Sequence, residues 1–206
     1  MARANFKYIT VEGVIGAGKT SLAKKLSDWF GAYLVCEEFE KNPFLADFYK
    51  DQRSYAFQTQ IFFLLSRFRQ QEQLRQYDLF HTKIISDYMF QKDRIFATMN
   101  LSDAEMKLYD GIARIMEQQI AVPDFIIYLQ SSTNRLMANI RKRERDIEKD
   151  MSRDYIETLN DMYNSFFSHF KDIPTIIINM ENIDFIGSEK DFKKVVKLVT
   201  EKSIGQ

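Results

Sequence analysis

Gly13-Val14-Ile15-Gly16-Ala17-Gly18-Lys19-Thr20 fits the pattern G-x-x-x-x-G-K-[ST] at every position. It follows the apolar run Phe6 to Glu12 and precedes Leu22, Leu26, Trp29 and Phe30, spaced as on a helix. Strand, glycine loop and helix in that order make a phosphate cradle. Gly13, Gly16 and Gly18 let backbone N–H groups turn inward, with Ala17 and Ser21 in the same turn. Lys19 reaches the outer phosphates, and the Thr20 hydroxyl can ligand Mg²⁺ at a helix start whose dipole favours anions. The expected ligand is a nucleoside triphosphate, ATP or another, with Mg²⁺.

Working outward, four more strand-like segments follow: Tyr33 to Glu37, Lys83 to Tyr88, Phe125 to Gln130 and Thr175 to Asn179. Helical patterns separate them. Ile126, Ile127, Tyr128 and Leu129 are apolar on both faces, which suits a parallel strand covered on both sides. Alternating strands and helices predict an α/β fold: a P-loop NTPase-type, doubly wound, five-stranded parallel sheet with flanking helices. The 206 residues hold no repeat, low-complexity tract or Pro/Gly-rich linker, so one domain over 1–206 is expected.

Composition removes several classes. With 45% apolar residues and 29 basic side chains balanced by 29 acidic ones, the chain is neither disordered nor broadly basic. No electrostatic footprint for polymeric nucleic acid or an anionic membrane is expected. Runs such as Ile61 to Leu65 fall well short of the roughly 18 apolar residues of a membrane span. Only Met1 to Asn5 precede the first strand, too few for a leader peptide, and Cys36 is the single cysteine. A cytoplasmic location is therefore expected, with no metal or redox role for Cys36. His81 and His169 stand outside every motif.

Two helical stretches carry apolar stripes. Ser54 to Tyr77 has Phe57, Ile61, Leu64, Leu65 and Phe68; Lys107 to Ala121 has Leu108, Ile112, Ile115, Met116 and Ile120. Both stripes read as core. Phe62 and Phe63 widen the first beyond one face, which leads us to expect a helix-mediated homodimer.

The loop alone does not name a reaction. Ser131-Ser132-Thr133-Asn134 and Met180-Glu181-Asn182-Ile183, after the last two strands, lack the Asn-Lys-x-Asp guanine reader of switch GTPases. Glu37 and Glu38 end the second strand, at the edge where open α/β sheets bind ligands. A carboxylate there can take the proton of an attacking hydroxyl. Asp87 ends the third strand in the place of a Walker B acid, able to reach Mg²⁺, or alternatively as a helix N-cap.

Five motifs in order then resemble the deoxynucleoside kinases, within them the bacterial deoxyadenosine and deoxyguanosine kinase branch. They are the loop Gly13 to Thr20, the segment Glu37 to Leu45 with its Asn42-Pro43, the Phe57-x-x-Gln60 helix running to Arg67, Asp87-Tyr88 with Asp93-Arg94, and Lys142 to Arg145. The resemblance spans Phe6 to about Phe170. It implies that Glu37 is the general base on a deoxyribose 5′-hydroxyl, that Tyr49 and Glu148 bind the 3′-hydroxyl, and that Gln60 pairs with the nucleobase. Arg67 and Asp93 would flank that base, a combination that implies a purine deoxynucleoside substrate. Arg141, Arg143 and Arg145 match a small arginine-rich lid, about 139–150, closing on the triphosphate, with Arg143 and Arg145 the better match. On one continuous helix Arg143 would point away from Arg141 and Arg145, so all three reach the phosphates only if the helix ends here. Lys19, Arg143 and Arg145 join Glu37 as the expected catalytic set.

Two departures from the family pattern stand out. Tyr88 replaces an arginine that in many members bridges the base catalyst and the 5′-hydroxyl, which makes Arg94 a candidate substitute. Glu144 replaces a lid glycine. Two other functions share the loop. A nucleoside monophosphate kinase of thymidylate kinase type would need an arginine near the second strand, and none lies between Gly31 and Lys50. A non-catalytic nucleotide-binding regulatory module would bind ATP without consuming an acceptor.

Overall fold

The computed structural model describes residues 4–77, 82–143, 145–148 and 151–204. His81 and Glu144, and part of the expected lid, lie outside the described residues. Five strands, β1 (Tyr8–Gly13), β2 (Tyr33–Val35), β3 (Ile84–Ser86), β4 (Phe125–Gln130) and β5 (Thr175–Asn179), form one sheet in the order β2-β3-β1-β4-β5. Every pairing is parallel. The helices are α1 (Lys19–Phe30), α2 (Leu45–Lys50), α3 (Gln52–Tyr77), α4 (Lys92–Asn100), α5 (Asp103–Glu117), α6 (Thr133–Arg143), α7 (Arg153–His169) and α8 (Glu189–Ile204).

The order of the strands places the site. The chain leaves β1 toward β2 on one side and leaves β3 toward β4 on the other. The crevice at this switch point therefore opens beyond the carboxyl ends of β1 and β3, where ligands of such sheets bind. Gly13 ends β1 there, and Asp87 follows β3.

Burial follows the uniform apolar runs. Ile9, Val11, Phe125, Ile126 and Ile127 are fully buried, together with Leu22, Leu26, Ile156 and Leu159 from the flanking helices. Each such side chain contributes about 1.5–3 kcal/mol relative to exposure. Tyr128 stacks on Phe167 at 4.1 Å between centroids and seats α7 on the sheet. No helix among the described residues is long and apolar enough to cross a membrane.

The second apolar stripe starts earlier than its periodicity suggests. Ser102 and Glu105 form a capping box that opens α5 at Asp103. The expectation that both stripes are core holds only in part. Leu64 and Ile120 are buried, but Leu65, Leu108, Ile112 and Ile115 are 40, 62, 37 and 65% exposed. Phe63 turns beneath the Arg67 guanidinium, 4.7 Å from its ring, and Phe62 meets the Phe44 ring, so neither residue needs a second subunit.

Candidate active site

The phosphate loop is shaped by what glycine alone tolerates. Gly16 has φ +89°, and a Cβ there would lie 2.7 Å from the Leu136 backbone oxygen; Gly18 has φ +93°, and a Cβ there would meet the Phe185 ring at 3.2 Å. The Asn139 amide donates to Gly16 O at 2.8 Å, so α6 braces the loop from outside. Lys19 folds back on the loop, donating to Gly13 O at 2.8 Å and Val14 O at 3.2 Å. Withdrawal from water, then the nearby charge of Lys92, pushes its pKa down to about 8. Ala17 is buried in the turn and Ser21 is exposed just beyond Thr20.

Across the switch point the Thr20 hydroxyl hydrogen-bonds one oxygen of Asp87, and the other Asp87 oxygen accepts the Glu37 backbone N–H at 2.7 Å. A hydroxyl and a carboxylate side by side beneath a phosphate cradle are hard oxygen donors of the kind Mg²⁺ takes, with phosphates and water completing its shell. Among the described residues no group of three or more His, Cys, Asp or Glu could hold a metal unaided. The Asp87 contact also explains why β2 is shorter than expected. The ladder ends where Asp87 N–H donates to Val35 O, and the next chain segment turns out of the sheet toward the Asp87 side chain.

That turn presents the Glu37 carboxylate to a clamp of two cations. Arg67 donates to Oε1 through Nε at 2.8 Å and through a terminal nitrogen at 2.6 Å, and Lys92 donates to Oε2 at 2.6 Å. Burial alone would push the Glu37 pKa up, but Lys92 and Arg67 outweigh it and hold the carboxylate far below its ordinary range. Glu38 instead pairs with Lys41 at the rim, at 2.7 Å. A second carboxylate, Glu12, is fully buried beneath; it accepts N–H bonds from Gly13 and Met89, and its burial raises its pKa.

The clamp sits in the wall of a cavity of about 360 Å³, within the range of small-ligand sites. Lys19 and Thr20 line it together with Tyr49, Gln60, Phe96 and Tyr155. Tyr49 is buried deeply enough to raise its hydroxyl well above its usual pKa. Glu148 shares one oxygen between Arg143 at 3.6 Å and Arg145 at 3.3 Å, and its other oxygen is buried with no hydrogen-bond partner among the described residues. Helix α6 does end at Arg143, which brings Arg143 and Arg145 to the cavity. Arg141 stays on the exposed face and does not line it. Gln60 donates to Asp93 O at 3.0 Å, leaving its amide oxygen and one hydrogen for other partners.

Arg67 and Asp93 form a buried ion pair, and Asp93 also accepts the Tyr109 hydroxyl at 2.9 Å. Arg67 lines the cavity, and the fully buried Asp93 is joined to it by this pair. The expected substitute for the arginine missing at Tyr88 is corrected. Arg94 is exposed and pairs with Asp110 at 3.2 Å; the second cation on Glu37 is Lys92. Lys92 was legible in principle, because Ile95 and Phe96 follow it by three and four residues and place it on the buried face of α4. Tyr88 is fully buried under the sheet edge, its ring face 5.8 Å from the Lys92 ammonium. Cys36 is half-buried, with burial and the Asp87 charge pushing its thiol up to about 11, far from a reactive thiolate.

A triphosphate cradle and a clamped carboxylate at two sides of one cavity, on a parallel sheet of this strand order, define a P-loop kinase of small molecules. Comparison with known proteins agrees. The family model "Deoxynucleoside kinase" matches residues 9–204, and the chain belongs to the deoxynucleoside kinase family. It is 33% identical over 199 residues to a deoxyguanosine kinase of Bacillus subtilis (strain 168), covering 94% of this chain and 96% of the relative. A deoxyadenosine kinase of Dictyostelium discoideum is 34% identical over 190 residues, 89% of this chain and 75% of the relative. The solved structure of deoxyadenosine kinase from M. mycoides with bound dATP superposes with a TM-score of 0.82 at 26% identity, covering 94% of this chain and 98% of that one. The activity that follows is phosphorylation of a deoxynucleoside.

Proposed function

We propose that the protein transfers the γ-phosphoryl group of ATP to the 5′-hydroxyl of a purine deoxynucleoside, deoxyadenosine or deoxyguanosine, in cytoplasmic nucleotide salvage. The observation that carries the reading is the Glu37 carboxylate, clamped by Arg67 and Lys92 in the wall of a cavity that also holds Lys19. The nucleoside enters without a phosphate of its own. Its base lies toward Gln60 and Arg67, and its 3′-hydroxyl toward Tyr49 and the Glu148 oxygen that has no partner among the described residues. The 5′-oxygen bonds to the γ-phosphorus as the bond from phosphorus to the departing ADP oxygen breaks, and the hydroxyl proton passes to Glu37. Lys19, the loop N–H groups, Arg143 and Arg145 hold the charge spread over the transferring group. Mg²⁺, held by Thr20 and Asp87, would neutralise phosphate charge when bound. The names of the Bacillus and Dictyostelium relatives support a purine acceptor.

The test is competition: the four natural deoxynucleosides together with ATP and Mg²⁺, products resolved by chromatography. Deoxyadenosine or deoxyguanosine is expected to be consumed first and to yield its 5′-monophosphate, and EDTA is expected to stop turnover. Preferential use of thymidine, or of deoxynucleoside monophosphates, contradicts the reading.

A homodimer belongs to the same proposal, supported by the exposed Leu65 of α3 and Leu108, Ile112 and Ile115 of α5, two helices in mutual contact. Leu108→Glu combined with Ile115→Glu is expected to convert a dimer to a monomer by analytical ultracentrifugation. An unchanged sedimentation coefficient would remove this interface.

A further inference from the structure

We propose that Lys92 is a positioning residue for the reaction, setting the direction in which the Glu37 carboxylate offers its free lone pair to the acceptor hydroxyl. The inference deepens, and rests on, the reading of Glu37 as proton acceptor.

The hydrogen-bond count at Glu37 points to it. A carboxylate offers about four lone-pair sites, two on each oxygen. Among the described residues Oε1 takes two donors, both from Arg67, whereas Oε2 takes one, from Lys92. The lone pair still open lies on the oxygen that Lys92 holds. A substrate proton therefore arrives at Oε2, leaving the 5′-oxygen to bond to phosphorus, and the Lys92 ammonium decides where Oε2 points.

Lys92 also breaks three local rules that a structural lysine would obey. It is the first residue of α4, at the positive end of the helix dipole, where acidic residues are favoured. It is 2% exposed, although an ammonium is costly to bury. It lies close enough to Lys19 for its charge to depress that residue's pKa. What compensates is the 2.6 Å contact with Glu37, with attraction to the buried Glu12 behind. Residues that violate local preferences while lining a cavity mark function more often than fold stability.

Lys92→Met is expected to lower kcat by about 10²-fold, the cost of misplacing a reacting group by about an ångström. Its KM for the deoxynucleoside and its affinity for Mg·ATP should stay within about threefold of the parent, the split expected when an interaction acts mainly in the transition state. Lys92→Arg, which keeps the charge on Glu37, is expected to recover kcat to within about tenfold. If Lys92 works through Glu37, the double variant E37Q/K92M turns over within about threefold of E37Q alone, because the two losses are not independent. Melting curves accompany every variant, and K92R carries the test alone should K92M not fold: a kcat loss as deep as that of E37Q overturns the proposal. Full multiplication of the two single losses in E37Q/K92M, or a K92M variant with normal kcat beside a slow E37Q, overturns it as well. Normal turnover in E37Q itself removes instead the reading of Glu37 on which the proposal rests.

Discussion

Glu37→Gln is expected to lower kcat by about two to four orders of magnitude, the range for loss of a general base, with Mg·ATP affinity held within about threefold. The substitution keeps the size of the side chain and removes the basic lone pair. Arg67 and Lys92 would then face a neutral amide. Arg67 retains Asp93, but Lys92 loses its 2.6 Å carboxylate. Removing one partner of such a buried pair typically costs about 3–5 kcal/mol, so a lower melting temperature is expected alongside the kinetic loss. Rates are therefore compared well below the variant's melting point. A folded E37Q protein with near-normal kcat would exclude Glu37 as the proton acceptor and turn attention to Asp87, which is bonded to the Glu37 backbone.

Lys19→Met is expected to be comparably severe, about 10²–10³-fold in kcat, the loss seen when one preorganised charge donor is removed from a transition state. The loop satisfies Lys19 internally, on Gly13 O and Val14 O. With a triphosphate bound, those carbonyl contacts are expected to exchange for phosphate oxygens. The depressed pKa is the signature of a cation placed where an anion belongs: burial and Lys92 push it down to about 8, and phosphate charge will draw it back up. Deoxynucleoside binding, measured calorimetrically without ATP, should be unchanged in the variant. A K19M enzyme within about tenfold of normal kcat would show that the loop amides, Arg143 and Arg145 suffice without it.

The parts of this molecule legible in the sequence are those whose chemistry is local. β4 runs Phe125–Gln130, as its apolar run implies, because a parallel strand covered on both faces has no polar alternation to blur its ends; the edge strand β5 keeps the bounds of its apolar run, Thr175–Asn179, although Ile177 is exposed. The phosphate loop was legible because its backbone needs Gly16 and Gly18 in left-handed conformations that few other residues adopt. Tyr49, Gln60 and Glu148 came to attention only through resemblance, since a tyrosine, an amide and an acid on separate elements share no spacing rule.

What escaped depended on how elements approach one another. Lys92 rather than Arg94 reaches Glu37 because α4 begins beside the turn after β2; chain spacing puts Lys92 on the buried face of α4, but that Glu37 lies there is set by the sheet order. The partners of Asp93 follow from the same packing: one oxygen pairs with Arg67 and the other accepts the Tyr109 hydroxyl of α5. Leu108 and Ile115 satisfy a helical stripe, yet among the described residues no element covers them, because periodicity reports which face is apolar and not what lies against it.

In the proposed reaction the cavity seats an uncharged deoxynucleoside with its 5′-hydroxyl on Glu37 and facing the triphosphate. A crystal structure with deoxyadenosine and a non-hydrolysable ATP analogue tests it most directly. The 5′-oxygen is predicted within hydrogen-bonding distance of Glu37 Oε2 and in line with the γ-phosphorus; a nucleoside bound elsewhere, or reversed with its base toward Lys19, would contradict it.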